Sequence, residues 1–161
     1  MPKVYVASSW RNKKQPQVVK ALRNVGFEVY DFHNPGPGDN GFQWSEVDPD
    51  WQGWNAEQFR EGLDHPIAIN GFRNDINALR DCDCCVLVNP CGRSAHLEAG
   101  FACGYGKPTF ILLQDGDEPE LMYLMADMIC TNLDELIREM VRLYLLELPV
   151  ACSPGERNAQ C

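Results

Sequence analysis

The chain has 161 residues, of which 45% are hydrophobic and 23% charged, a balance typical of one globular domain. Its formal net charge of −9 argues against a nucleic acid polymer as partner, although a small anionic ligand needs only one local group of donors. No run approaches the roughly 20 apolar residues of a membrane span, and the first residues lack the apolar core of a signal peptide. We therefore expect a cytoplasmic protein that does not contact a membrane.

Short apolar runs alternate with segments of helical spacing along the chain. In chain order, the predicted elements are a strand at 4–7, a helix at 15–24, a strand at 27–30, helices at 56–63 and 72–80, a strand at 84–88, a helix at 94–105, a strand at 109–113, a helical piece at 118–125, a strand at 127–130 and a helix at 132–147. This alternation predicts an α/β fold, with a five-stranded parallel sheet and helices on both faces. The domain is expected to span 1–148, with an aromatic insertion at about 32–70 and a disordered tail at 149–161.

In a parallel sheet of this kind, ligands bind beyond the carboxyl ends of the strands. Three loops are predicted at that edge: residues 8–12, the aromatic stretch after Asp31, and residues 89–94. In the third loop Gly92 permits a tight turn and Ser94 is expected to cap the next helix. The N–H groups at that helix start favour an anion, and Arg93 adds positive charge.

Glu98 is the unusual residue of this helix, which otherwise consists almost wholly of small and apolar residues. One interpretation is that Glu98 is a first-turn acid that interacts favourably with the helix dipole. A capping box, however, would place the acid three residues after Ser94, where Leu97 stands. Because an unpartnered carboxylate is costly in a buried helix, we expect Glu98 to face a cavity or a polar partner and to be functional.

The eight cysteines do not have the paired spacing of a zinc site, and two of them fall within a predicted strand. They are interpreted as buried, reduced thiols. Neither a metal nor a cofactor is expected.

Three segments together resemble the nucleoside 2-deoxyribosyltransferase family: KVYVASSW at the start, NDINAL from Asn74, and GRSAHLEAGFACGYGKPTFILL from Gly92. The resemblance implies a doubly wound, flavodoxin-like (Rossmann-like) fold and an enzyme that cleaves an N-glycosidic bond through a glycosyl-enzyme intermediate. Glu98 matches the nucleophile of the family. Tyr5 matches the tyrosine whose hydroxyl orients that nucleophile, and Asp75 matches the aspartate that holds or protonates the leaving base.

One departure concerns the acid that, in the nucleoside transferases, precedes the Gly-Ser element and contacts the sugar 5′-hydroxyl. Here that neighbourhood contains Arg93 and no acid, while Arg11 follows the first strand. The pattern resembles the 2′-deoxynucleoside 5′-phosphate N-hydrolase branch, in which serines and an arginine hold the phosphate. The candidate substrate-binding residues of the two loops are Ser8, Ser9, Arg11, Gly92, Arg93 and Ser94. Either arginine could instead be a solvated surface charge.

The function expected from this resemblance is hydrolysis of a (deoxy)nucleoside 5′-monophosphate. Base exchange between nucleosides is the alternative within the family, and a non-catalytic nucleotide sensor is the alternative from another class. The family completes its sites with a residue of a neighbouring subunit, which implies a homodimer or a higher homo-oligomer. Residues 123–127 are the neighbourhood expected for that residue, although no clean match is present.

The predicted insertion is rich in aromatic residues: Phe42, Trp44, Trp51, Trp54 and Phe59. They form either a satellite hydrophobic cluster or a lid that stacks on the base and excludes water. Trp44 and Trp51 are the candidate ligand contacts.

Overall fold

The computed structural model of the protein describes residues 1–146, whose centre is an all-parallel five-stranded sheet in the order β2-β1-β3-β4-β5. The strands are β1 Lys3–Ala7, β2 Glu28–Tyr30, β3 Cys84–Val88, β4 Thr109–Leu112 and β5 Met128–Cys130. The helices are α1 Gln15–Asn24, α2 Ala56–Leu63, α3 Pro66–Asp81, α4 Arg93–Gly104 and α5 Leu133–Val141. The α/β fold predicted from the alternation of elements is confirmed.

The two faces of the sheet carry separate cores because successive strand residues point to opposite sides. Val4 and Val6 of β1 lie on one face, in a core that includes residues of α1 and α5. Tyr5 and Ala7 lie on the other face, with residues of α3 and α4. The side chain of Tyr5 is therefore directed toward the two helices that carry Asp75 and Glu98.

Strands β1 and β3 are central neighbours, and the order of strands reverses between them. The loops that follow these strands are joined through Asn12, whose Nδ2 donates to the backbone oxygens of Val88 at 3.1 Å and Asn89 at 3.0 Å. Ligands of open α/β sheets bind at such a reversal, so this contact shapes the expected binding edge.

Several predicted boundaries differ from the structure. Helix α3 begins at Pro66, six residues before the predicted start at 72, and His65 accepts a hydrogen bond from the N–H of Ile67 at its beginning. The predicted cap at Ser94 is wrong, because Gly92 occupies the N-cap position of α4 and no side chain caps it.

The piece predicted at 118–125 is a 3₁₀ helix at Leu121–Met125. The closing helix is α5 followed by a π-helical turn at Arg142–Leu146. The predicted tail at 149–161 and the end of the predicted domain lie outside the described residues. Among residues 1–146, no helix combines the length and the apolar character needed to cross a bilayer.

The six cysteines of the described part of the chain are all free thiols. Cys82, Cys84, Cys85 and Cys130 are buried, whereas Cys91 and Cys103 are partly exposed. Within the same part, no three histidine, cysteine, aspartate or glutamate side chains are grouped so as to hold a metal ion.

Candidate active site

A pair of stacked tyrosines forms the floor of the site. Tyr5 of β1 and Tyr30 of β2 are register partners, and their rings lie 5.2 Å apart at an interplanar angle of 16°. Tyr5 is fully buried in the core, and Tyr30 is partly buried beside it. Because both rings are held by strand backbone and by each other, their hydroxyl groups have fixed positions.

Asp75 lies in the middle of α3 and is partly buried. The Tyr30 hydroxyl donates a hydrogen bond to its Oδ1 at 2.8 Å. Burial raises the pKa of this carboxyl; the Tyr30 hydrogen bond opposes that shift, and the negative charge of Asp39 adds to it. Asp75 therefore retains a proton to higher pH than an exposed aspartate.

Glu98 lies in the second turn of α4 and is also partly buried. Burial is the main cause that raises the pKa of Glu98 to about 7, the charge of Asp75 adds to it, and the Tyr5 hydroxyl opposes it. That hydroxyl has no hydrogen-bond partner of standard geometry among the described residues, although it is buried. The Tyr5 hydroxyl thus lies close enough to Glu98 to lower its pKa without meeting standard hydrogen-bond geometry, and its role in orienting Glu98 stays a prediction.

The two carboxyl groups are electrostatically coupled, so they titrate as a pair. Because the charge of Asp75 raises the pKa of Glu98, the last proton of the pair lies mainly on Glu98 in the free protein, and the form with Glu98 ionised and the proton on Asp75 is the one that holds both a nucleophile and an acid. Such a pair can supply one nucleophile and one acid at the same pH, the division of roles that two carboxyl groups perform in retaining glycosidases.

The raised pKa of Glu98 has a consequence for stability. Between its ordinary value of 4.5 and about 7, the folded protein keeps a proton that the unfolded chain releases, so the free energy of unfolding falls as pH rises through this window. Glu98→Gln removes this dependence. It should raise the free energy of unfolding by about 1–3 kcal/mol at about pH 8 and leave it unchanged at about pH 4. Urea unfolding at both pH values measures this, and an equal effect at the two would contradict it.

The predicted phosphate-binding serines Ser8 and Ser9 form different hydrogen bonds in the structure. Ser8 donates its hydroxyl to the backbone oxygen of Val88 at 2.8 Å and accepts from Asn12, so its position fixes the loop. Ser9 accepts a hydrogen bond from the N–H of Arg11 at 3.2 Å. The Ser8 hydroxyl thus links the loop after β1 to the end of β3. The hydrogen bond between Ser9 and Arg11 fixes the backbone of that loop.

The two arginines of the site edge are exposed, as are Gly92 and Ser94 at the start of α4. Neither Arg11 nor Arg93 forms an ion pair with a residue of the described chain. Their guanidinium groups and the first N–H groups of α4 therefore remain available to an anion.

A hydrogen-bonded network holds the start of α4 from the other side. His96 places Nδ1 2.9 Å from the Gly92 oxygen and Nε2 3.0 Å from the Tyr123 hydroxyl. Asn89 donates its Nδ2 to the same hydroxyl at 2.9 Å. Tyr123, which lies in the neighbourhood expected for a subunit contact, thus contacts the site loop of its own chain.

The aromatic insertion packs mainly on itself and on the helices that follow. The Trp44 ring lies 4.8 Å from Phe42, 5.6 Å from Trp54 and 6.2 Å from Phe59, measured between ring centroids. Trp51 is partly buried, and no ring stacking with a described aromatic residue is found for it. These contacts support the satellite cluster, and ligand contact by Trp44 or Trp51 stays a prediction.

Phe42 of the insertion packs against α3 at Gly71. A Cβ added at Gly71 would lie 2.8 Å from the Phe42 Cβ, so only glycine allows this approach. Gly71 is four residues before Asp75 and therefore lies on the same side of the helix. Asp39, from the start of the insertion, also acts on Asp75 electrostatically.

The sequence patterns did not single out Tyr30 or Asp39 as site residues, and Phe42 was predicted only as one of the aromatic residues of the insertion. For Tyr30 a signal existed, since it ends a predicted strand one position before the expected ligand edge. Its pairing with Tyr5, however, depends on the strand register. For Asp39 no sequence signal was present, because it lies in an irregular segment without periodicity, and nothing in the sequence indicated that Phe42 packs against α3.

Comparisons with known proteins place the fold. No protein-family model matches the sequence, and no curated protein matches it. Among solved structures, a 2-deoxyribosyltransferase from Bacillus psychrosaccharolyticus matches with a TM-score of 0.55 and 19% identity, covering 84% of this chain and 90% of that one. A conserved protein from Enterococcus faecalis matches with a TM-score of 0.57 and 14% identity, covering 89% and 99%. A CMP N-glycosidase, BcmB, from Clostridium botulinum matches at 0.48 and 16% identity, covering 86% and 97%. The first two comparisons confirm the predicted fold.

Proposed function

We propose that the protein is an N-glycosidase that hydrolyses a (deoxy)nucleoside 5′-monophosphate through a glycosyl ester on Glu98. The observation that carries the proposal is the coupled pair of Glu98 and Asp75, which lies on the face of the sheet where Tyr5 and Tyr30 stack and where the Tyr30 hydroxyl contacts Asp75. The fold shared with a 2-deoxyribosyltransferase supports it.

In the first step the reactive form of the pair has Glu98 ionised and the proton on Asp75. A Glu98 oxygen attacks the anomeric carbon, the N-glycosidic bond breaks, and its electron pair leaves with the base, which takes the Asp75 proton. In the second step Asp75, now a carboxylate, accepts a proton from water. The water oxygen bonds to the anomeric carbon and releases Glu98, so the sugar keeps its anomeric configuration.

Water is the proposed acceptor, and the base of a second nucleoside is the alternative. The second candidate is favoured by the fold shared with a 2-deoxyribosyltransferase. A panel of nucleosides and 5′-monophosphates, assayed for free base with and without an added acceptor base, separates the two. Hydrolysis predicts free base and sugar phosphate in both conditions, whereas transfer predicts a new nucleoside only when the acceptor is present.

A preference for 5′-monophosphates over nucleosides is expected from Arg11, Arg93 and the start of α4. Loss of one arginine–phosphate contact, as in Arg11→Ala, should lower kcat/KM for the monophosphate about 10- to 150-fold. Arg60→Ala is the matched control, because Arg60 is exposed on α2 and pairs only weakly with Glu57 at 3.6 Å. Equal turnover of nucleosides and their monophosphates by the wild-type protein would contradict the phosphate assignment.

We also propose a homodimer or higher homo-oligomer. Exposed leucines support it: Leu97 of α4 is 76% exposed, and Leu121 and Leu124 of the 3₁₀ helix, which contacts α4 through Tyr123 and His96, are 75% and 80% exposed. Large exposed apolar side chains on neighbouring elements favour association between protein surfaces.

A further inference from the structure

Tyr30 contributes a polar group to the site that the resemblance does not assign. Its hydroxyl donates to Asp75 Oδ1 at 2.8 Å, and no second hydrogen bond of that hydroxyl is found among the described residues. The ring is fixed by its stack on Tyr5 and by the pairing of β2 with β1. The contact therefore reaches one particular oxygen of the carboxyl from a rigid position.

We propose that Tyr30 is a positioning residue that assigns the proton of Asp75 to Oδ2, the oxygen that delivers it to the leaving base. This inference rests on the proposed function, in which Asp75 protonates the base. A carboxylic acid has one oxygen that accepts and one that carries the proton. Because the Tyr30 hydroxyl donates to Oδ1, that oxygen serves as the acceptor, and the proton of the acid form is left on Oδ2.

Tyr30 remains a donor throughout this cycle. Burial and the charge of Asp75 raise the pKa of the Tyr30 hydroxyl far above its ordinary value, so it stays protonated when Asp75 becomes a carboxylate. The same hydrogen bond then stabilises the carboxylate that activates water in the second step. One contact thus orients Asp75 both as acid and as base.

Tyr30→Phe removes only the hydroxyl oxygen and keeps the stacked ring. Without the contact Asp75 is free to rotate, and kcat should fall about 10- to 100-fold. KM should stay within about twofold, since Tyr30 acts through Asp75 and not on the substrate. Tyr144→Phe is the matched control: its hydroxyl donates to the Asp83 oxygen at 3.3 Å, its ring packs against the core on the opposite face of the sheet, and its loss should leave kcat unchanged.

A double-mutant cycle distinguishes positioning from general support of the fold. In an Asp75→Asn background, Tyr30→Phe should cost less than about a further twofold in kcat, because its effect passes through the Asp75 proton. Losses that multiply independently would show that Tyr30 acts elsewhere and would overturn the proposal.

Carboxyl-carbon NMR titration of Asp75 supplies a readout that does not depend on activity. The titratable groups that interact with Asp75 among the described residues are Tyr5 of β1, Tyr30 of β2, Glu98 of α4 and Asp39 of the insertion. The Tyr30 hydrogen bond lowers the pKa of Asp75, so Tyr30→Phe should raise it. An unshifted titration overturns the inference. If Tyr30→Phe shifts the Asp75 titration but the wild-type protein releases no base from any nucleotide, the proposed function alone is refuted.

Discussion

Glu98→Gln should lower kcat by at least about 10³-fold while the protein stays folded and still binds substrate. The amide preserves the shape of the side chain but cannot form the glycosyl ester at a useful rate. Glu98→Ala should lose as much, because it removes the same nucleophile. Steady-state release of base measures kcat, and circular dichroism with substrate titration checks folding and binding.

Glu57→Gln is the control for this substitution, since Glu57 is exposed on α2 and, within residues 1–146, forms an ion pair with Arg60 alone. It should retain full activity. A Glu98→Gln variant that turns over at the wild-type rate would refute the nucleophile and the mechanism proposed with it.

Asp75→Asn should lower kcat by about 10²- to 10⁴-fold for a nucleotide whose base must be protonated to leave. In a nucleotide with a 7-methylpurine base, the base itself carries a positive charge. It leaves as a neutral molecule when the N-glycosidic bond breaks. That substrate needs no acid, so Asp75→Asn should spare most of its first step. Comparison of base-release rates in the first turnover for the two substrates isolates the acid role, and equal losses on both would contradict it.

The same variant should change the pH dependence. The negative charge of Asp75 raises the pKa of Glu98, so Asp75→Asn should lower that pKa from about 7 toward its ordinary value. Glu98 must be ionised to attack, and the acidic limb of kcat/KM should therefore move to lower pH. A profile of kcat/KM for the 7-methylpurine substrate between about pH 5 and 9 measures this.

Sequence patterns predicted the sheet well because each buried strand is a short apolar run between turn residues. The run at Cys84–Val88, for example, is buried at every position. Boundaries were less accurate where capping decides them. Pro66 could have marked the start of α3, since proline is favoured in the first turn of a helix. The start of α4 was misplaced because Ser94 is a good cap by type, whereas the chain uses the extended backbone of Gly92.

A residue of the candidate site could be predicted where its polarity differs from that of its neighbours in the sequence. Glu98 was found because a carboxylate is unexpected on a helix of small residues, and Asp75 only through the resemblance. Tyr30 was missed because its role arises from strand order: it becomes the neighbour of Tyr5 only when β2 pairs with β1. Such contacts between distant segments have no periodicity that a sequence pattern can reveal.

The covalent intermediate on Glu98 is the central claim, and mass spectrometry of rapidly quenched enzyme tests it most directly. A 2′-fluoro-2′-deoxyarabinosyl nucleotide suits the experiment, because its fluorine destabilises the oxocarbenium-like transition state and slows release of the ester. The account predicts that the peptide containing Glu98 gains the mass of the fluorinated sugar phosphate and that Glu98→Gln gains none. An adduct on a different residue, or steady release of base with the Glu98 peptide unmodified at every time point, would contradict it.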